Sequence, residues 1–236
     1  MHFIGIDGCK AGWFCISFDE NQNWEANIFS CISEIFNYYK EIKVALIDMP
    51  IGLPHKTKRS CDIEARKLLT RRRSSSVFPI PSRNAIYAKT YLASCQKNVV
   101  DLGVKVSKQT WNICNKIKEV DQYISKNIDA VKVLKEAHPE LNFTAWNNQK
   151  PMLCNKKLKE GEIERLMILQ KNLNATNEIV KYSMEEYKRS QLTKDDILDA
   201  MILALTALHY PNIASIPENE EYDVKGLKME IVFYRK

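Results

Sequence analysis

The sequence predicts an α/β fold: a mixed sheet in which strands one to three are antiparallel and strands four and five are parallel, flanked by helices and interrupted by a largely helical insertion. Three observations predict it. The N-terminus carries short alternating apolar runs around a glycine turn, residues 43–48 form an apolar run that ends in an acid, and most of the remaining chain repeats its apolar residues at intervals of three and four.

Residues 3–7 and 12–18, joined by Gly8-Cys9-Lys10-Ala11, read as a hairpin, and residues 24–29 add a third strand. Ile32, Ile35, Phe36 and Tyr39 then fall at helical spacing, with Ser30 or Ser33 as the N-terminal cap and Glu34 in the first turn. Residues 43–48 read as a strand buried on both faces in a parallel part of the sheet. Met49-Pro50-Ile51-Gly52-Leu53-Pro54 stops it, because proline cannot donate to the ladder. A right-handed crossover makes this fourth strand parallel to the first, which brings Asp7 and Asp48 to the same edge of the sheet. Residues 55–130 read as a mostly helical insertion, and residues 131–139 resume a strand-like alternation that ends at Pro139. Residues 161–172 and 177–189 read as amphipathic helices. Thr193 caps the most apolar helix, 197–208, with acids in its first turn facing the positive end of the helix dipole and Pro211 just beyond its end. Residues 228–234 alternate enough to form a final edge strand.

At 236 residues the chain is longer than the usual domain of about 100–150 residues, yet one core with an insertion fills it, so a single domain over 1–236 is the expectation. An apolar fraction of 45% and a charged fraction of 27% exclude a disordered chain. The seven cysteines are scattered and never form C-x-x-C pairs, which fits reduced thiols and excludes a zinc ribbon. No export leader is visible, and the longest apolar stretch is far shorter than the roughly 20 residues that span a bilayer, so a cytoplasmic protein without a membrane partner is expected. Net charge is +6, but residues 55–90 alone carry +8, leaving −2 on the rest. That asymmetry suits a polyanion, since phosphate neutralisation dominates nucleic-acid affinity.

The acids carry the chemistry. Asp7 ends the first strand, Asp48 ends the fourth, and Asp196 and Asp199 share one face of the late apolar helix, while Asp195 faces elsewhere as a first-turn cap or supporting group. Clustered carboxylates raise one another's pKa, and a divalent cation turns that repulsion into coordination. Oxygen ligands without His or Cys favour Mg²⁺ or Mn²⁺, and a two-metal carboxylate site supports hydrolysis of a phosphodiester. Each acid also has a structural reading: Asp7 orders the glycine turn, Asp48 accepts bonds from the loop after it, and Asp196 and Asp199 cap their helix.

The ordered motifs Gly5-Ile6-Asp7-Gly8-Cys9-Lys10-Ala11-Gly12-Trp13, Ile47-Asp48-Met49-Pro50-Ile51-Gly52-Leu53-Pro54, Arg59-Ser60-Cys61-Asp62 with Ala65-Arg66, Ser75-Ser76-Val77-Phe78, Pro81-Ser82-Arg83, Glu136-Ala137-His138-Pro139-Glu140 and Asp195-Asp196-Ile197-Leu198-Asp199-Ala200 resemble those of the DUF429 family of predicted RNase H-like nucleases. The resemblance implies an RNase H-like fold related to Holliday-junction resolvases of the RuvC type, and with it a homodimer. It implies Asp7, Asp48, Asp196 and Asp199 as metal-holding catalytic residues, with Glu136 as a further catalytic carboxylate. Lys10, Arg59, Arg66, Ser76 and Arg83 belong to its motifs as candidate substrate contacts. Arg71, Arg72 and Arg73 are either phosphate contacts or a solvated basic face, and His138 is either a substrate contact or a structural hydrogen-bonding residue. Two rival functions stand beside the nuclease: a non-catalytic module that binds nucleic acid or protein, and an ATP-binding phosphotransferase of the actin and sugar-kinase type. The latter needs a second nucleotide-binding half, and the sequence has no second glycine-aspartate-glycine hairpin and no Walker pattern.

Overall fold

A computed structural model describes residues 1–235. β1 (His2–Cys9), β2 (Gly12–Phe18) and β3 (Trp24–Phe29) form the antiparallel meander, and β4 (Ile42–Ile47) and β5 (Leu134–Glu136) add in parallel. The order across the sheet is β3-β2-β1-β4-β5, the predicted mixed arrangement and one that fits an RNase H-like fold.

α1 (Ile32–Tyr38) joins β3 to β4, and its N-cap is Cys31 rather than either expected serine. Ser30 instead donates its backbone N–H and its hydroxyl to Glu34, each at 2.8 Å, so the serine and the first-turn acid tie the entry to the helix from outside it. Between β4 and β5 lie α2 (Ser60–Leu68), α3 (Thr70–Arg73), a 3-10 turn (Ser74–Ser76), α4 (Arg83–Ile86), α5 (Tyr91–Leu102), α6 (Lys108–Lys126) and α7 (Ile128–Val133). The strand expected over 131–139 is therefore only three residues long. α7 runs into it, with Asp129 in its first turn paired to Lys132 at 2.8 Å, and so short an apolar run is compatible with either period.

The chain continues through α8 (Pro139–Trp146), α9 (Lys159–Asn172), α10 (Thr176–Glu186) and α11 (Lys194–Ala207). Pro139 opens α8 at the one helical position where a missing N–H costs nothing. β6 (Ile213–Ile216) and β7 (Ile231–Tyr234) make a separate antiparallel ribbon. The expected final edge strand thus reaches the main sheet only through a parallel bridge from Val232 to Ala137. No helix among the described residues is long and apolar enough to cross a membrane.

The sheet is covered on both faces. Ile4, Ile6, Trp13, Ala45 and Ile47 pack with Ile32, Ile35, Cys114 and Ile117 of α1 and α6. Phe14, Ile16, Val44 and Leu46 pack with α11 and with residues of α8, α9 and α10. α11 is buried from Ile197 to Ala207, which explains why it reads as the most apolar helix of the chain. Its backbone comes so close to β1 that a Cβ on Gly5 would lie 2.1 Å from the carbonyl oxygen of Ala200 and 2.2 Å from the amide nitrogen of Ala204. No L side chain fits there, and both atoms it would strike are backbone. Gly5→Ala should therefore destabilise the protein by about 3 kcal/mol or more, at or above the upper end of ordinary overpacking. Chemical denaturation measures it; a loss below about 1 kcal/mol would mean that α11 can retreat freely from the strand.

Candidate active site

Side chains alternate along a strand, so Asp7 leaves β1 on the same face as Gly5, the face that α11 covers. β1 and β4 are in parallel register with Ile6 opposite Ile47, and the backbone N–H of Asp48 donates to the carbonyl of Ile6 at 3.0 Å. Asp7 and Asp48 consequently emerge side by side at the end of two paired strands. α11 begins beside them. Thr193 and Asp196 form a capping box, in which Asp196 Oδ2 accepts the Thr193 N–H at 2.8 Å and the threonine hydroxyl accepts the Asp196 N–H. The acid in the capping box is therefore Asp196, in keeping with its structural reading, and Asp195, the other expected first-turn acid, is half-buried beside it. One turn further on, Asp199 is buried with 4% of its surface exposed.

Asp7, Asp48, Asp196 and Asp199 line a single cavity of about 590 Å³, which Lys116 of α6, Lys156, Arg73, Ser76, His138, Glu140 and Arg165 also line. Burial pushes the Asp7 carboxyl well above its usual range, and the negative charges of Asp199 and Asp48 push it further. Asp48 is raised by burial and by Asp199 against the opposing pull of His138, and Asp196 is raised by burial against its bonds to Thr193. Lys156 donates from Nζ to Asp199 Oδ2 at 2.6 Å, and the neighbouring carboxylates raise its pKa.

The chemistry of this donor set fits a hard divalent cation: four carboxylates around one cavity, three of them raised first by burial, with no sulfur among them. Among the described residues no three His, Cys, Asp or Glu groups stand close enough to hold a metal ion as they are placed. The cation that meets the carboxylates is the Lys156 ammonium.

Glu136 is placed differently. It sits opposite Ile47 in the parallel register, one residue out of phase with Asp7 and Asp48, so it starts from the other face of the sheet. It too borders the cavity, but its carboxylate is engaged by the Arg59 guanidinium and accepts the Ile51 N–H at 2.8 Å. Burial raises its pKa to about 8, against the pull of Arg59. Arg59 itself is 1% exposed, so its guanidinium is occupied by Glu136, with Asp62 at 3.7 Å, and is closed to substrate.

Other expected phosphate contacts are likewise engaged inside the protein. Arg83 holds both oxygens of Asp121, at 2.7 and 2.6 Å, and also Asp223; Arg66 donates to the Val77 carbonyl at 2.6 Å; Lys56 is 2.6 Å from Asp101. Four of the ten basic residues in 55–90, Lys56, Arg59, Arg66 and Arg83, thus fasten the insertion, because an insertion outside the sheet needs bonds of its own. Arg73 does both: Nε donates to the Met152 carbonyl at 2.9 Å and lies 3.4 Å from Glu140, yet the residue lines the cavity. His138 Nε2 pairs with the Ser76 carbonyl at 3.2 Å, while Nδ1 is buried without a hydrogen-bond partner among the described residues. Arg71 and Arg72 are exposed on α3, and Lys10 is exposed at the hairpin turn and does not line the cavity. Lys116, Lys156, Glu140 and Arg165 had not been singled out. Nothing in the Asn155-Lys156-Lys157 stretch distinguishes Lys156 from a solvated lysine.

The family model for DUF429, described as a protein of unknown function, matches residues 5–222. The chain belongs to the DUF429 family. No curated protein and no solved structure matches it. The family match runs from β1 past β6, so it includes Asp7, Asp48, Glu136, Asp196 and Asp199 and the whole insertion.

The raised pKa of Asp7 fixes the sign of a stability effect. A carboxyl whose folded pKa exceeds its unfolded value near 3.9 contributes stability below that value and loses it as pH rises through the folded pKa. At neutral pH the metal-free protein therefore bears the cost of an ionised Asp7. Asp7→Asn should raise the melting temperature in EDTA at pH 7, by about 2–4 °C per kcal/mol recovered, with the gain shrinking toward pH 4. Melting curves across this range decide it; a variant destabilised equally at every pH would make Asp7 a structural acceptor instead.

Proposed function

We propose that this protein is a hydrolase of nucleic-acid phosphodiesters that depends on a divalent cation held by aspartates. The observation that carries the proposal is the convergence of Asp7, Asp48, Asp196 and Asp199 on one cavity, from two parallel strands and a helix far apart in sequence. A protein with no use for them would not gather four acids in one cavity, where burial opposes the ionisation of Asp7, Asp48 and Asp196. When bound, Mg²⁺ or Mn²⁺ supplies Lewis-acid polarisation of a phosphoryl oxygen and lowers the pKa of a water molecule.

The chain's own residues supply the rest. Asp7, Asp48 and Asp199 provide oxygen donors fixed by strand register and helix packing. Arg73, Lys116 and Lys156 place positive charge in the same cavity, where the anionic backbone of a substrate meets it. His138 lies within electrostatic reach of Asp48 at the cavity wall and is held there by the Ser76 carbonyl through Nε2. Arg71 and Arg72, exposed on the short helix that leads to Arg73, extend the positive charge outward. Arg59, Arg66 and Arg83 are engaged inside the protein, whereas Arg73 lines the cavity that gathers the aspartates, which supports hydrolysis there over surface binding alone.

The test is Mn²⁺-dependent cleavage of single-stranded, duplex, hybrid and branched DNA and RNA. Wild-type protein should cut at least one of these and stop on addition of EDTA, and Asp7→Asn should be slower by about 100-fold or more. Equal, negligible cleavage by both proteins on every substrate would leave a binding module.

A further inference from the structure

Lys156 reaches its position by more than chance. It lies in the loop before α9, and this loop is fastened to the helix at several points. The backbone N–H groups of Leu153 and Cys154 donate to the two oxygens of Glu164 at 2.7 and 3.0 Å, and Arg165 donates to the carbonyls of Gly161 at 2.9 Å and Cys154 at 3.4 Å. Gly161 lets the first turn of α9 sit directly on the loop, since a Cβ there would lie 2.0 Å from the Asn155 carbonyl oxygen and 3.1 Å from the Lys156 nitrogen. From this held backbone the Lys156 ammonium reaches Asp199 at 2.6 Å, with Asp7 and Asp48 also acting on it. A surface ion pair contributes little and needs no such scaffold. Here one partner is buried, and the loop carrying the other is tied down by three hydrogen bonds to α9.

We propose that Lys156 is a positioning residue that fills one of two cation places in the aspartate cluster, so that the site takes one divalent ion rather than two. This rests on the reading above that the aspartates hold a divalent cation. Lys156 stands on Asp199, which leaves Asp7 and Asp48 as the carboxylates for the ion. Asp196 is already held by Thr193 at the cap of α11, so a second ion would find only Asp199, shared with the ammonium, and this favours a single divalent ion. Lys156 thus does without exchange what a second metal does elsewhere: it holds Asp199 in place and keeps positive charge at a fixed point beside the reacting phosphate.

The test is the number of Mn²⁺ ions bound per full-length chain, read from free Mn²⁺ by electron paramagnetic resonance at neutral pH. Wild-type protein should bind one, Lys156→Arg should also bind one, and Lys156→Met should bind either a second ion or the first about tenfold more tightly. Gly161→Ala moves the Lys156 backbone without removing the charge and should shift the titration in the same direction as Lys156→Met. Two ions in wild-type protein would overturn the proposal even if Lys156→Met failed to fold, and so would a Lys156→Met titration identical to wild type. The two readings fail separately. One ion bound with no cleavage of any substrate removes the hydrolase and keeps the role of Lys156, whereas no ion bound by wild-type protein removes both.

Discussion

The contact on which the rest depends is the one between the α11 backbone and Gly5 of β1. A residue without a side chain lets the helix settle onto the strand at backbone distance, and the residues that follow from that contact are the chemical ones. Asp7 lies two positions after Gly5, on the same face, and Asp199 immediately precedes Ala200, whose carbonyl meets Gly5. Register between β1 and β4 then supplies Asp48. The packing that builds the core therefore also sets the separation of the acids. Each large aliphatic side chain buried on α11 stabilises by about 1.5–3 kcal/mol, and it is this burial that offsets the cost of confining several carboxylates in one cavity.

The insertion is held by charge. Arg59 to Glu136 ties α2 to the end of β5, and Arg83 joins Asp121 of α6 to Asp223, which in turn accepts the backbone N–H of Leu53 at 3.0 Å and of Leu227 at 3.0 Å. Such buried pairs add little net stability over apolar packing, yet removing one partner costs about 3–5 kcal/mol because the other is stranded. They therefore fix geometry more than they add stability. What they fix includes the loop after β4 and the α6 helix, whose Lys116 is part of the cavity lining. The arginines that look in the sequence like a phosphate grip are thus largely the fasteners that hold the cavity's surroundings in place.

Much of this was legible in the sequence. Strand order followed from a hairpin, a third alternating run and one apolar run that needs cover on both faces, and Asp7, Asp48 and Asp199 stood out because each interrupts an apolar stretch. Other features depend on distances that sequence does not hold. Glu136 ends a strand as Asp48 does and borders the same cavity, but a single residue of register turns its carboxylate to Arg59, and register is set only when the strands pair. Lys156 belongs to a polar loop whose conformation is decided by Gly161, Glu164 and Arg165. The extent of β5 was overestimated because three residues of alternation are equally compatible with the end of a helix, and α7 takes them.

The whole account stands on carboxylates from β1 and the end of β4 holding a divalent cation beside Asp199 of α11. A crystal soaked in Mn²⁺ and measured at a wavelength that reveals manganese tests this directly. The account predicts an anomalous peak inside the cavity bounded by Asp7, Asp48 and Asp199, with at least two of those side chains in contact with it. Manganese bound only elsewhere, or a cavity in which these three side chains diverge and no peak appears, would contradict it.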